Sequence, residues 1–475
     1  MSTFSFENSY LNLPSAFYER VRAEQFSRPE LLQFNHELAK SLGFPSREFS
    51  TEELANFFAG QKLLPGSKPI ALAYAGFQFG HPVPVLGDGR AMLLGELKGF
   101  DVQLKGSGKT PFSRRGDGLS ALGPVVREYL VSEAMFVLGV PTTRALAAVR
   151  TGEEVFRQFG PEPGGVFTRV AGSHIRVGTF QYFSFKKDLS SLKILLDYTI
   201  KRHYPELSHL SNLREKCLSL LKAFSLRQGN LIAQWSGLGF IHGVMNTDNC
   251  FLSGETVDYG PCAFMDEFRF HKVFSSIDER GRYSFFNQVP IIQWNILRLA
   301  DCLIPLISDD EKEAITLVEK EVIPLLEEFP QMRTREFAKK LGIHDFKAED
   351  ESLVMDFLTF LEEESMDFTL SFRNLTKLYE GDFSFYGESR KIKDFTSKWL
   401  ARNPKTENLD QLNPLYIPRN HLVQKAIELS YKGDDSFFKR FNEVLRKPFE
   451  ERPGCEEFTL PPQESEKVLR TFCGT

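Results

Sequence analysis

The stretch that most constrains this 475-residue chain is residues 239–266, GFIHGVMNTDNCFLSGETVDYGPCAFMD. An Asp-Asn pair, Asp248 and Asn249, stands nine residues ahead of a third polar residue, Asp258, in an Asp-Tyr-Gly turn. The apolar pairs Phe251-Leu252 and Thr256-Val257 predict two short strands joined by the turn Ser253-Gly254-Glu255. Such a hairpin would bring its open ends together. Asn249 then offers an amide oxygen and Asp258 a carboxylate, hard ligands suited to Mg²⁺ or Mn²⁺ bridging phosphates. Asp248 would point the other way, toward the attacking group. Asp and Asn also cap turns as ordinary loop duty, so this reading depends on partners elsewhere in the chain.

Those partners lie upstream. Gly87-Asp88-Gly89-Arg90 is a φ-permissive turn before an apolar strand, 91–94; alone, such a turn is usually just a hairpin. Phe100-Asp101-Val102-Gln103-Leu104-Lys105 alternates as a strand that ends on a lysine, and a Gly-rich basic loop, GSGKTPFSRRGDG, follows over 106–118. Residues 124–138 predict a helix, with Pro124 in its first turn, an apolar stripe (Val126, Leu130, Ala134, Val137, Leu138), and Gly139 and Pro141 as stop signals. Glu128 sits near its start. A strand lysine followed by a helix glutamate is how protein-kinase-like folds orient a phosphate-binding ammonium; a solvated helix glutamate is the plain alternative. Strands are predicted over 143–149 and 165–170. Ser173 is predicted to cap a helix from His174, with Arg176 in its first turn, where a cation opposes the helix dipole unless an anion sits between them. Between residues 85 and 180 there are twelve Lys/Arg against nine Asp/Glu, in a chain of net charge −5. That window looks built to hold a polyanion, and Lys105 and Arg169 sit in apolar strands.

The rest of the chain bounds the answer. Residues 29–42 and 50–60 predict short helices; 182–200, 213–235, 290–307, 310–329, 353–361 and 421–446 predict longer ones. The acids over 310–328 and 349–367 read as solvated helix faces. Residues 413–420 read as an extended strap ordered by prolines. From 447 the chain is a Pro- and Glu-containing tail, expected to bury little. No basic-then-apolar leader opens the sequence, and no run approaches the ~20 apolar residues of a membrane helix. Net acidity gives no sign of a nucleic-acid partner. Six cysteines at scattered positions fit neither a metal finger nor a disulfide scaffold, so a reducing cytoplasm is the expected compartment and a monomer the expected state.

With Lys105, Glu128, Asn249 and Asp258 in this order, the chain resembles a protein-kinase-like fold of the α+β class, a strand-rich N-lobe followed by a mainly helical C-lobe. It resembles, more specifically, the selenoprotein O family, over nearly its whole length. The resemblance rests on AYAGFQFGHPVPVLGDGR, QLKGSGKTPFSRRGDG, VREYLVSEAMFVLGVPTTRAL, FTRVAGSHIRVGTFQYF, HGVMNTDNC, DYGPCAFMDEF, NPLYIPRNH and the terminal cysteine. It implies an N-terminal extension (1–70), an N-lobe that holds nucleotide phosphates (71–180), a helical C-lobe with the catalytic and metal loops (181–446) and a tail with a redox cysteine (447–475). It also implies transfer of AMP from ATP to Ser, Thr or Tyr hydroxyls of proteins, self-labelling included, with Mg²⁺ or Mn²⁺; UTP as a donor stays open.

Carried over by motif, Lys105 is the strand lysine and Glu128 its partner; Gly87, Gly89, Arg90, Asp117 and Gly118 contact nucleotide; Arg169 and Arg176 clamp inner phosphates; Asn249 and Asp258 ligate metal, Asp258 also touching nucleotide. Asp248 is the proposed general base. Two features of the residues agree. The position five before Asn249, where kinase-like enzymes of the His-Gly-Asp type keep their base, is Val244, which accepts no proton. The resemblance also implies a flipped nucleotide, its terminal phosphates where a kinase holds adenine, and the small lobe carries cations where an adenine pocket would be apolar. The family's redox-active terminus corresponds to Cys473, with Cys262 a possible partner near the metal turn. A conventional phosphotransferase and a non-catalytic nucleotide-binding pseudokinase remain the alternatives.

Overall fold

Alternating and β-branched segments in the first third of the chain condense into one sheet. In the computed structural model, which describes residues 4–158 and 160–472, its strands are β1 (Tyr18–Arg20), β2 (Glu30–Phe34) and β3 (Ile70–Leu72), then β6 (Ala91–Leu97), β7 (Phe100–Lys105), β8 (Arg144–Arg157) and β9 (Gly160–Ala171). Between them β4 (Gly76–Gln78) and β5 (His81–Val83) form a separate hairpin. The sheet order is β1-β3-β6-β7-β9-β8-β2, antiparallel throughout. Residues before 70 supply both edge strands. The expected helix over 29–42 is therefore split: β2 takes its first half, because the Leu31–Phe34 run finds an edge on β8, and only α1 (His36–Ser41) is helical. The second expected helix forms as α2 (Thr51–Phe58), with a full capping box between Ser50 and Glu53.

Helix α3 (Leu122–Val137) lies on one face of the sheet against β8 and β9, and is buried along most of its length. After β9 the chain is mainly helical: α4 (Val177–Phe185), α5 (Leu189–His203), α6 (Leu213–Gly237), α7 (Gln288–Ile307), α8 (Glu311–Glu327), α9 (Phe329–Lys340) and α10 (Asp350–Glu363) lead into shorter helices. The single helix expected over 182–200 breaks at Lys187, which adopts φ 56°, and Asp188 restarts it by accepting the Ser191 N–H at 3.0 Å. The largest core cluster packs around α4–α8, a second around Phe337–Trp399, and two more lie on the two sides of the sheet.

Three expectations change. The segment Phe285–Ile307 is, by length and composition, apolar enough to cross a membrane; here it packs against α4, α6 and α8 as a core helix. Two of the acids read as solvated point inward: Asp350 pairs with Arg402 at 2.6 Å, and Asp367 pairs with Arg419 at 2.8 Å. Arg419, fully buried in the 413–420 strap, also meets Asp266. The tail, finally, is anchored. Phe458 is buried, Lys467 pairs with Glu267 at 2.9 Å, and Thr471 bridges Ser275 while its hydroxyl donates to the Pro261 carbonyl at 2.6 Å. Cys473 lies outside the described residues.

Candidate active site

Register sets the floor of the site. Along β7 the side chains of Asp101, Gln103 and Lys105 share one face, and Arg169 on β9 stands opposite Gln103. Helix α3 crosses that face and lowers Glu128, 2% exposed, between two cations. Lys105 Nζ donates to Glu128 Oε2 at 2.7 Å and Arg169 Nε to Glu128 Oε1 at 2.9 Å. Asp258 closes the cluster from below: Lys105 Nζ lies 2.5 Å from its Oδ1 and Arg169 Nη2 3.8 Å. Asp258 reaches them because its backbone turns through φ 66°, a left-handed conformation that Asp tolerates better than most residues. Burial alone would raise both acids. The surrounding cations override it, Lys105, Arg169 and Arg90 for Asp258, and hold both carboxyls below the usual range, Asp258 far below.

The Asp248 loop is organised differently. The expected hairpin over 251–257 does not pair with itself: Phe251 bridges Arg176 and Thr256 bridges Thr142, because each finds a neighbouring backbone outside the turn. Gly254 N–H still closes the turn on the Phe251 carbonyl at 3.0 Å. His242, neutral through burial, donates Nε2–H to the Val257 carbonyl at 2.8 Å and stacks on Trp235, tying the two ends of the loop. Asn249 donates its amide nitrogen to the Val244 carbonyl at 3.1 Å, which leaves its amide oxygen as the unengaged end. Val244 itself is buried. Asp248 is half-buried and its Oδ1 is closed off from solvent without a hydrogen-bond partner. Burial, followed by the charge of Asp258, pushes its carboxyl up to about 6, against the opposing pull of Arg176.

Helix α4 begins three residues later than expected. Ser173 hydrogen-bonds His203 at 2.6 Å, and Arg176 is the residue at the helix N-cap, its N–H donating to Thr179 Oγ1 at 3.2 Å. The Arg176 guanidinium lies 4.0 Å over the Tyr74 ring and donates to the Asp248 carbonyl at 3.1 Å. Between these elements opens a cleft of about 560 Å³, lined by Gly87, Gly89, Arg90, Asp117, Gly118 and Asp248 among others. Its glycines are there for space. A Cβ at Gly87 would sit 2.2 Å from the Phe112 ring, and one at Gly118 2.3 Å from Gly108. Asp117 faces the cleft with its carboxylate held by Arg157 at 2.7 Å.

Of the residues singled out in the sequence, Lys105, Glu128, Arg169 and Asp258 meet directly. Gly87, Gly89, Arg90, Asp117, Gly118 and Asp248 share the cleft, and Arg176 joins it through Asp248. Asn249 is next to Asp248, and among the described residues no hydrogen bond joins it to Asp258. Cys262 is buried, its thiol pushed up to about 12 by desolvation. Sequence reasoning missed Asp88, whose buried carboxylate accepts from Leu72 N–H at 3.1 Å and Gln103 Nε2 at 3.2 Å and lies 3.8 Å from Arg176. It also missed Tyr74, Arg157 and the β4–β5 hairpin. That hairpin covers Asp248: Phe77 N–H donates to Thr247 Oγ1 at 2.7 Å, and a Cβ on Gly76 would lie 2.6 Å from Asp248 Oδ1. The glycine-spaced motif over 73–90 was the available signal. Among the described residues no cluster of three His, Cys, Asp or Glu side chains forms a metal cage. One carboxylate and one amide oxygen fit a hard cation that takes its remaining ligands from phosphates and water.

Comparison with known proteins now bears on this geometry. Residues 1–446 match the family model described as protein adenylyltransferase SelO. A relative from Bradyrhizobium sp. (strain ORS 278), named protein nucleotidyltransferase YdiU, is 46% identical over 491 residues, covering 99% of each chain. Relatives of the same name from Rhodopseudomonas palustris (strain BisB5) and Maridesulfovibrio salexigens are 47% and 46% identical, each covering at least 99% of both chains. The class so defined is the protein nucleotidyltransferases. Within it, the chain belongs to the SelO family of protein adenylyltransferases.

Proposed function

We propose that this chain moves AMP from ATP to hydroxyl side chains of proteins and releases pyrophosphate, on a bilobal kinase-like frame divided at about 70, 180 and 446. The observation that carries the reading is the split between two acids ten residues apart: Asp258 is ion-paired to Lys105 and held far down, while Asp248 has no ion pair to its carboxylate, keeps one oxygen without a hydrogen-bond partner and is raised to about 6. Lys105, Arg169, Arg176 and Arg90 would hold the triphosphate, the outer phosphates innermost in the cleft. Asn249 and Asp258 would hold a divalent cation, which when bound neutralises the polyphosphate and the departing charge. Binding must loosen the Lys105–Asp258 contact, freeing the ammonium for phosphate.

The chemistry asked of the chain is small. The acceptor oxygen attacks the α-phosphorus in line, and the bond to the β-phosphate oxygen breaks. The hydroxyl proton passes to Asp248, whose pKa suits a base near neutral pH. Positioning and fixed charge supply most of the acceleration. We also propose that Cys473 pairs with Cys262 under oxidation. In support, the Thr471 hydroxyl is held on the Pro261 carbonyl, and each of these residues is close in sequence to one of the two cysteines.

The test is parallel incubation of the full chain with α-labelled and γ-labelled ATP and a divalent cation. The reading requires α-label on protein and stoichiometric pyrophosphate. Label from the γ position identifies a phosphotransferase instead, and none from either a non-catalytic binder.

A further inference from the structure

The β4–β5 hairpin reaches across Asp248 and ends on an arginine, Arg282, that the proposed chemistry does not use. Its turn residues, Phe79 and Gly80, both adopt positive φ (52° and 84°), as a two-residue hairpin turn requires. The tip rests on an aromatic platform: Phe79 meets Tyr283 edge-on at 5.2 Å, and Phe77 meets Trp294 at 5.4 Å. Arg282 lies in the angle. Its guanidinium is 5.0 Å from the Trp294 ring and 5.7 Å from the Tyr283 ring, and a Cβ built on Gly80 would lie 3.8 Å from it.

Arg282 is half-buried, and among the described residues no carboxylate pairs with it. Of the two acids just before it, Glu279 is exposed and makes no ion pair with it, and Asp278 is engaged elsewhere, accepting the backbone N–H groups of Arg282 and Tyr283 at 2.8 and 2.7 Å. Arg282 Nε is buried without a partner. Neighbouring Arg298 lies 5.3 Å from the same Trp294 ring, but it is paired with Asp301 at 3.0 Å. The difference matters: one arginine is neutralised within the fold, and the other, whose only side-chain polar neighbour is the Tyr283 hydroxyl, has no counter-charge among the described residues. A half-buried guanidinium held on aromatic faces without a counter-charge is a receptor for a carboxylate.

Its position ties it to the reaction. The Tyr283 hydroxyl donates to Asn246 Oδ1 at 2.6 Å, and the same oxygen receives the Phe79 N–H at 3.1 Å. Asn246 is two residues before Asp248 on one loop. Burial pushes the Tyr283 hydroxyl up to about 12, with Arg282 pulling it down and the Asp248 charge pushing it up. Arg282 therefore sits against the loop that carries the proton acceptor, outside the residues that line the nucleotide cleft.

We propose that Arg282 binds an acidic side chain of the acceptor protein, so that acceptor segments with Asp or Glu near the modified hydroxyl are selected. This rests on the reading of Asp248 as the residue that accepts the acceptor's proton. The experiment uses the full chain and fluorescein-tagged synthetic peptides that carry one Ser, with a single Glu, Gln or Lys placed at each of the three positions on either side. Binding is read by anisotropy and transfer by α-labelled ATP.

For the wild type, Glu at the preferred position should tighten binding and raise transfer about tenfold over Gln. Arg282→Ala should abolish that preference while leaving the Gln peptide, ATP binding and self-labelling unchanged. Arg282→Lys should keep part of the preference, and Arg282→Glu should turn it toward Lys peptides. Equal binding of Glu and Gln peptides by the wild type, or a preference that survives Arg282→Ala, overturns the proposal. Absence of α-label on every acceptor, the chain itself included, counts against the transferase reading instead, while the anisotropy series still decides for or against the Arg282 site.

Discussion

Asp258 and Asp248 belong to the same loop and are the same residue type, yet the fold treats them oppositely. Asp258 is drawn into a four-residue ion cluster with Lys105, Glu128 and Arg169, and its carboxyl is pulled far down. Asp248 is covered by a glycine-bearing hairpin, left with an unpartnered oxygen and raised to about 6. The first arrangement fixes a charge; the second makes a charge expensive and a proton easy to take up. Two acids whose environments push their pKa values apart mark an assignment of roles.

The largest effect that would break this contrast is at Asp258. Asp258→Ala should drop transfer below detection and remove the cation dependence of ATP binding, read by calorimetry with and without Mg²⁺. Cation-dependent binding that persists in the variant would take the metal role away from Asp258. Asp248→Asn should lower kcat by about 10²–10⁴-fold, the ordinary contribution of a general base, with ATP affinity unchanged. The same variant should be more stable than wild type at pH 8. A carboxyl whose folded pKa is raised stabilises the fold only while protonated, so its charged form is a liability above about 6. The gain should be about 2–3 kcal/mol by denaturant unfolding and should vanish below pH 4.

Glu128→Ala sharpens the other side of the comparison. Removing the one carboxylate that serves both Lys105 and Arg169 leaves two buried cations with Asp258 as their remaining counter-charge, and should cost about 3–5 kcal/mol of stability. A loss below 1 kcal/mol would mean that the cluster is not the electrostatic unit described. The smallest effect is expected at Val244→Asp. A carboxylate restored there should leave the transferred label unchanged in kind, because Val244 is buried and the proposed pose turns the α-phosphate, not the γ-phosphate, toward this loop. Appearance of γ-label on the acceptor would show a kinase-like pose.

Much of this site was legible in the sequence, and the reasons are local. The Lys105 strand, the Glu128 helix and the Gly87–Arg90 turn each carry their own periodicity or stop signal, and all three formed where expected. Non-local facts were not legible. Phe251 and Thr256 looked like a hairpin because adjacent strands usually pair, whereas both are claimed by segments more than seventy residues away. Residues 29–34 read as helix because nothing in them reveals the open edge of β8 that makes them a strand. Asp88 looked like a turn residue between glycines, and only the fold shows it buried behind Arg176. The cover that β4–β5 places over Asp248, and with it the raised pKa, is likewise a property of packing.

The contrast between the two acids is tested most directly by the pH dependence of kcat/KM for α-label transfer, measured from pH 5 to 8 under saturating Mg²⁺ with wild type and Asp248→Asn side by side. For the wild type the rate should rise through an apparent pKa of about 6, as Asp248 loses its proton, and level off above pH 7. The Asn variant should be slow and flat across the same range. An ascending limb that survives in Asp248→Asn with the same midpoint would assign the titrating group elsewhere and contradict the account.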